Sequence, residues 1–219
     1  MKVAIDGPAG AGKSSIAKAV SKKLGFVYID TGAMYRAVAV YAIENGIEIK
    51  EENFTGDVLD KIKIDITYED GTQRIFLLGK DVSERIREAD ASIGASNVAV
   101  IPQVRLKLVE LQRTLAEKTS VIMDGRDIGT YVLPDAEVKI FLTASSDVRA
   151  KRRLLEMKEK GMEADFETVK RDIEYRDKND SERAFAPLRK AEDAVLVDTS
   201  DMTIEEVINR ITEIIREEK

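Results

Sequence analysis

Val3-Ala4-Ile5-Asp6-Gly7-Pro8-Ala9-Gly10-Ala11-Gly12-Lys13-Ser14-Ser15 carries an apolar strand straight into a glycine-rich loop. From Gly7 to Ser14 it matches G-x-x-x-x-G-K-[ST], in the setting of strand, tight loop and helix that this pattern requires. Glycines at 7, 10 and 12 allow φ values closed to other residues. They also leave no Cβ where phosphate oxygens approach backbone N–H groups. Ile16, Ala19, Val20 and Leu24 then recur at helical spacing and Gly25 supplies the stop, so bound phosphates meet the positive end of a helix. Lys13 adds a point charge for the β- and γ-phosphates, and Ser14 stands where a hydroxyl ligates Mg2+. The expectation is a nucleoside triphosphate site made by Gly7, Pro8, Ala9, Gly10, Ala11, Gly12, Lys13, Ser14 and Ser15.

Composition narrows the chemistry further. A chain of 219 residues with 43% hydrophobic content can bury one sizeable core with inserted segments. It has no Cys and no His, which removes disulfides, thiolate nucleophiles and the usual neutral-pH base. Lys, Arg, Asp, Ser and a metal ion must do the work. No apolar run approaches the ~18 residues of a membrane span and no signal-peptide core precedes the first strand, so a cytoplasmic protein with no membrane partner is expected. The net charge of −6 argues against a nucleic-acid partner, which normally calls for a basic domain. Residues 149–190 nonetheless hold 13 Lys/Arg against 10 Asp/Glu. A positive segment in an acidic chain suits a small polyanionic ligand.

Five apolar, β-rich stretches begin at Val3, Phe26, Ser120, Val138 and Ala194, with helical patterns between them. This alternation predicts an α/β fold with a five-stranded parallel sheet covered on both faces. Thr31 reads as an N-cap and Gly46 as the stop of a helix through Met34, Val38 and Tyr41. Pro102 opens another helix, and Thr203 with Glu206 forms a capping box before the last one. Two segments break the rhythm. Strict alternation at Ile62, Ile64, Ile66 and Tyr68, a turn at Asp70-Gly71 and a second run at Arg74 to Leu78 predict an antiparallel hairpin in a small β-rich insert. From Arg149 to Arg189 the sequence is helical and charge-dense, with Gly161 between two helices and Pro187 ending the second, as in a mobile lid.

Val121-Ile122-Met123-Asp124 has the form of a buried strand ending in an acid that holds Mg2+ or its water. An Asp at a strand end is by itself more often a turn former; the phosphate loop reverses that judgement. The next residues, Arg126 and Asp127, fall at the carboxyl end of the same strand, where ligands bind in open α/β sheets. Arg36 lies a turn beyond Thr31. In the lid, Arg176, Asp180 and Arg183 are spaced i, i+4, i+7, on one face of a persisting helix. Arg149, Arg152 and Arg153 carry no such signal and read equally well as solvated cations.

The phosphate loop, Asp30-Thr31-Gly32-Ala33-Met34-Tyr35-Arg36, the β-rich insert, Asp124-Gly125-Arg126-Asp127-Ile128-Gly129 and the R-x-x-x-D-x-x-R lid occur in an order that resembles the bacterial cytidylate kinase family over nearly the whole chain. The resemblance implies a P-loop NTPase core at 1–35, 93–148 and 187–219, an NMP-binding domain with its β-rich insert at 36–92, and a helical lid at 149–186. It implies transfer of the γ-phosphoryl group of ATP to CMP or dCMP, with Mg2+ held at Ser14 and Asp124, in a monomer. By the same resemblance Arg36, Arg126 and Arg183 hold the CMP phosphate. Ser96, Arg105 and Asp127 read the cytosine edge, and Arg176 and Asp180 contact the ribose. Lys13, Arg126, Arg176 and Arg183 form the catalytic set. Thr31 stands in the CMP site where the related pattern often has Ser; it keeps the hydroxyl. Other small P-loop kinases, acting on UMP, AMP, dTMP or a phosphate-free acceptor, and a nucleotide-hydrolysing switch stand as the alternative readings.

Overall fold

The computed structural model describes residues 1–69, 72–159 and 161–218. In chain order the elements are β1 (Lys2–Asp6), α1 (Lys13–Leu24), β2 (Val27–Asp30), α2 (Thr31–Glu44), α3 (Gly56–Lys61), β3 (Ile64–Glu69), β4 (Thr72–Leu77), β5 (Lys80–Asp81), α4 (Ala89–Val98), α5 (Pro102–Ala116), β6 (Val121–Gly125), β7 (Val138–Thr143), α6 (Ser146–Glu159), α7 (Phe166–Glu182), β8 (Val195–Asp198) and α8 (Ile204–Glu217). A five-stranded sheet runs β2-β6-β1-β7-β8 with every pair parallel, and a separate antiparallel sheet runs β3-β4-β5. Among the described residues no helix is long and apolar enough to cross a membrane.

Side-chain alternation along the strands sorts the core onto two faces. Val3 and Ile5 of β1, Ile122 of β6 and Ile140 of β7 pack against Ile16 and Val20 of α1 and Ile211 and Ile215 of α8. Ala4, Ile29 and Met123 point the other way, into a cluster with Met34 and Val38 of α2 and Val104 and Leu108 of α5. Ile75 and Leu77 of β4 and Ile62 join that second cluster, so the antiparallel sheet shares the main core. The turn foreseen at Asp70-Gly71 lies outside the described residues.

Two local expectations change. Asp30, not Thr31, caps α2, its carboxylate accepting from Ala33 N–H at 2.9 Å. Thr31 is the first helical residue, and its hydroxyl donates instead to the Asp124 carbonyl at 2.7 Å. Helix α7 stops at Glu182, and Arg183 is extended (φ −59°, ψ 139°). Pro187 therefore follows an already finished helix, and Arg183 leaves the stripe that its spacing implied. The capping box at Thr203 and Glu206 is present.

Parallel register lines up the carboxyl ends of three strands: Asp6 pairs with Gly125 and Asp30 with Asp124. Gly7 then turns the chain away with φ +152°, and a Cβ on it would sit 1.9 Å from the carbonyl oxygen of Leu142 on β7. That approach leaves room for hydrogen only. Gly7→Ala is expected to lower unfolding stability by at least ~2 kcal/mol, the range of backbone strain with a core clash. Urea denaturation followed by circular dichroism checks it, and an unchanged midpoint would contradict the packing.

Candidate functional site

The carboxyl ends of β2 and β6 and the loop after β1 open onto a cleft of about 500 Å3. Gly12, in a left-handed conformation (φ 85°), is the N-cap of α1, and no side chain caps that helix. The first-turn amides of α1 and the side chains of Lys13, Ser14 and Ser15 border the cleft together with Gly10 and Ala11. This is the free N-terminus that favours an anion. Gly7, Pro8 and Ala9, expected beside them, do not border it. The Pro8 carbonyl accepts from Lys13 Nζ at 2.8 Å, and both Ala9 backbone groups are held by side chains.

Beneath the loop, Ser14 Oγ donates to Asp124 Oδ2 at 2.9 Å, and the Tyr28 hydroxyl donates to Asp124 Oδ1, also at 2.9 Å. Burial, reinforced by the Asp30 charge, pushes the Asp124 carboxyl up to about 6. A divalent ion would relieve that cost. Among the described residues no cluster of three or more acidic side chains forms a metal cage. One carboxylate with one hydroxyl beside a phosphate-binding loop suits Mg2+, which keeps most of its waters and shares phosphate oxygens. Asp6, missed by the motif reading, is buried and accepts from Ile128 N–H and Gly129 N–H at 2.8 and 2.7 Å, tying the end of β1 to the loop after β6. Burial raises its carboxyl to about 7. Lys13 goes the other way, lowered to about 7 by burial and then by Arg126.

The opposite end of the cleft is built from arginines. Arg105, wholly buried on α5, pairs with Asp127 Oδ2, while Arg183 donates to Asp127 Oδ1 at 3.1 Å. The Arg105 guanidinium also lies 5.5 Å from the ring centroid of Tyr35 and 5.8 Å from that of Phe185, within cation–π range. Arg126 donates to Asp180 at 2.6 Å, and Arg36 to Asp30 at 2.8 Å. Burial opposes ionisation of Asp180, yet Arg126 and Arg183 hold it below the ordinary carboxylate value. Ser96 is buried and accepts from Asn179 of α7 at 3.3 Å. Arg176 has no hydrogen bond or ion pair among the described residues. Burial and then Arg126 lower its guanidinium to about 10.

Charge summarises the site. Among the described residues nine cationic side chains and five carboxylates line the cleft, an excess of four positive charges in a chain whose net charge is −6. Sixteen of the nineteen residues singled out from the sequence border it, from Gly10 to Ser15 through Arg183. The sequence reading missed Tyr28, Tyr35, Gln73 and Gln112, which also border it. Gln73 of β4 meets the Asp30 peptide, accepting from its N–H at 2.8 Å and donating to its carbonyl at 3.3 Å. A polar residue at an inward position of the hairpin was the available signal. The buried Gln112 Nε2 and Arg105 Nε have no hydrogen-bond partner among the described residues; a glutamine seven residues after Arg105 on one helix face was the signal there.

A family model described as cytidylate kinase matches residues 3–217. The cytidylate kinase of Caldicellulosiruptor saccharolyticus is 52% identical over 214 residues, covering 98% of this chain and 95% of that protein. That of Lactobacillus johnsonii is 51% identical, covering 100% of this chain and 95% of the relative. Among solved structures, the shikimate kinase from Acinetobacter baumannii in complex with shikimate superposes with a TM-score of 0.50 at 13% identity, covering 100% of this chain and 94% of that one. At that identity the likeness is one of fold.

The raised carboxyls give the protein a pH signature. With no histidine in the chain, the window between pH 5 and 7 is dominated by Asp6 and Asp124, with Lys13 beginning to release its proton only at the upper edge. Folded, the two carboxyls keep protons that the unfolded chain has released above about pH 4, so stability falls as pH rises through the window. The urea midpoint is expected to be lower at pH 7 than at pH 5, with a smaller difference in Asp6→Asn. Equal midpoints for the parent at the two pH values would contradict the burial of these charges.

Proposed function

The chain belongs to the cytidylate kinase family and is an ATP-dependent phosphotransferase acting on CMP or dCMP, and from that premise we propose how its residues divide the work. ATP phosphates lie along the Gly10 to Ser15 amides at the start of α1, with Lys13 over the β- and γ-phosphates. Ser14 and Asp124 would hold Mg2+, which would supply charge to offset the phosphates. Tyr28 fixes the Asp124 carboxylate from its other oxygen. The acceptor phosphate sits among Arg36, Arg126 and Arg183, and the ribose meets Arg176 and Asp180. Thr31 stands at the same end, its hydroxyl already committed to the Asp124 carbonyl.

One observation carries the base assignment: a buried carboxylate, Asp127, held between two buried guanidiniums at the closed end of the cleft. Cytosine presents an amino donor at N4 beside an acceptor at N3, so a carboxylate next to an arginine is its complement, whereas uracil reverses both groups. Each Asp127 oxygen accepts one arginine and keeps a second lone pair for the N4 amino group. Ser96 borders the same end. In the transition state, charge spreads over the transferring group. Lys13 and the arginines surround it, so catalysis is positioning and preorganised electrostatics. The absence of histidine costs this chemistry nothing.

The part of the chain from 149 to 186 acts as a lid and 36–92 as the acceptor-binding domain. The inner ends of α6 and α7 support a hinge there, since they are tied to the rest of the protein through Arg152 to Thr199, Tyr175 to Asn97 and Arg126 to Asp180. One protomer carries every residue named, which supports action as a monomer. A cytoplasmic location belongs to the same proposal.

Removing Asp127 altogether would strand two buried arginines and cost ~3 to 5 kcal/mol of stability, so the informative change is Asp127→Asn. Its amide keeps the shape but turns one acceptor into a donor. The kcat/KM ratio of CMP over UMP is expected to fall tenfold or more, about 1.4 kcal/mol. Steady-state kinetics with both acceptors reads it. A ratio that stays constant while both rates fall together would remove Asp127 from base recognition.

A further inference from the structure

Asp177 and Arg149 belong to no assigned role, and they converge on one peptide unit of the phosphate loop. Asp177 Oδ1 accepts from Ala9 N–H at 2.9 Å, and Arg149 Nη1 donates to the Ala9 carbonyl at 2.7 Å. The two side chains pair with each other at 2.6 Å, which closes a ring around Ala9. Arg149 Nε donates in addition to the Ala144 carbonyl at 2.9 Å, fixing the guanidinium to the start of α6. Arg149 is therefore no solvated cation; it is 6% exposed.

A loop with glycines at φ +152°, +72° and +85° is costly to order, because each glycine gives up the freedom that lets it adopt those angles. Ala9 lies between the first two. Its amide lies outside the cleft, whose loop lining begins at Gly10. The carboxylate therefore fills a donor outside the anion cradle and leaves the cradle open. The loop tip packs flat on the two helices as well, since a Cβ on Gly10 would lie 3.4 Å from both Arg149 Cβ and Ile173 Cδ1. Asp177 directly follows Arg176, the guanidinium that borders the cleft without a hydrogen-bond or ion-pair partner among the described residues.

We propose that Asp177 and Arg149 are positioning residues that clamp the Ala9 peptide, setting the phosphate loop in its anion-binding shape and in register with Arg176 on α7. Charge-assisted bonds from a bidentate carboxylate and a guanidinium suit this task, for they fix direction as well as distance. The clamp's hydrogen bonds go to Ala9 and Ala144 and not to the residues assigned to the base, so its loss falls first on the triphosphate. The inference rests on reading the loop as the ATP site, and the experiment separates the two.

Isothermal titration calorimetry with ATP and Mg2+, and separately with CMP, is run on the full chain and on Asp177→Ala, Asp177→Asn and Arg149→Ala. The parent is expected to bind both ligands; failure of ATP to bind the parent would overturn the site reading itself and the clamp with it. Asp177→Ala is expected to weaken ATP tenfold or more while CMP affinity stays within twofold. Asp177→Asn, which keeps an acceptor for Ala9 N–H and loses the charge opposite Arg149, falls between and carries the test if the alanine variant does not fold. Arg149→Ala combined with Asp177→Ala adds little to either alone, since partners in one network are not additive. ATP affinity equal to the parent in both Asp177 variants overturns the clamp. So does a parallel loss of ATP and CMP affinity, which would mean general loosening of α7.

Discussion

Positive charge that the protein cannot neutralise by itself governs this structure. The cleft gathers nine cations against five carboxylates, and the carboxylates are already spoken for: Asp127 by Arg105 and Arg183, Asp180 by Arg126, Asp30 by Arg36. With Arg153 on Glu156, Lys13, Lys18, Arg87 and Arg176 are left over among the described residues, and burial depresses Lys13 and Arg176. A desolvated cation without an anion is unfavourable, so the fold holds in readiness a charge that only phosphates can complete. Such preorganisation is what phosphoryl transfer asks of a protein, because the dipoles and charges need not rearrange when the reaction occurs.

Sheet topology explains how so much charge is brought together. With β1 in the centre, β6 beside it and β2 beyond, three strands end level, and the loops that follow them turn over the same edge. Asp6 then ties the end of β1 to the backbone of Ile128 and Gly129, which fixes the loop bearing Arg126 and Asp127. Tyr28 and Ser14 fix Asp124 from both sides. The hairpin contributes through Gln73, which holds the Asp30 peptide and so steadies the partner of Arg36.

What the sequence displayed was the periodic and the local. Alternating apolar strands, glycine stops, the capping box and the phosphate loop are short-range patterns whose physics is contained in a few neighbouring residues, and all five parallel strands appear where the pattern put them. The failures share a cause. Thr31 looks like a cap because it is a hydroxyl at a helix start, but Asp30 beside it has the better geometry, which frees Thr31 to bond a strand that is distant in sequence. Arg183 keeps its helical spacing only as far as Glu182 and reaches Asp127 from extended backbone. Arg149 read as a solvated cation and Asp177 drew no reading because nothing local marks either; their partner is a peptide in the phosphate loop.

The central claim is that Lys13 and Arg176 are held uncompensated until phosphates enter. The most direct measurement is a titration of Lys13 in protein carrying 13C-labelled lysine, followed by NMR of the ε-carbons, with Lys13→Arg to assign the resonance. In the empty protein the Lys13 signal is expected to titrate near 7, where burial and Arg126 put it. With ADP and Mg2+ bound, it is expected to move up by two units or more, as the phosphates restore the charged form. A Lys13 that titrates near the ordinary lysine value of about 10.4 in the empty protein, or one that nucleotide leaves unmoved, would contradict the account.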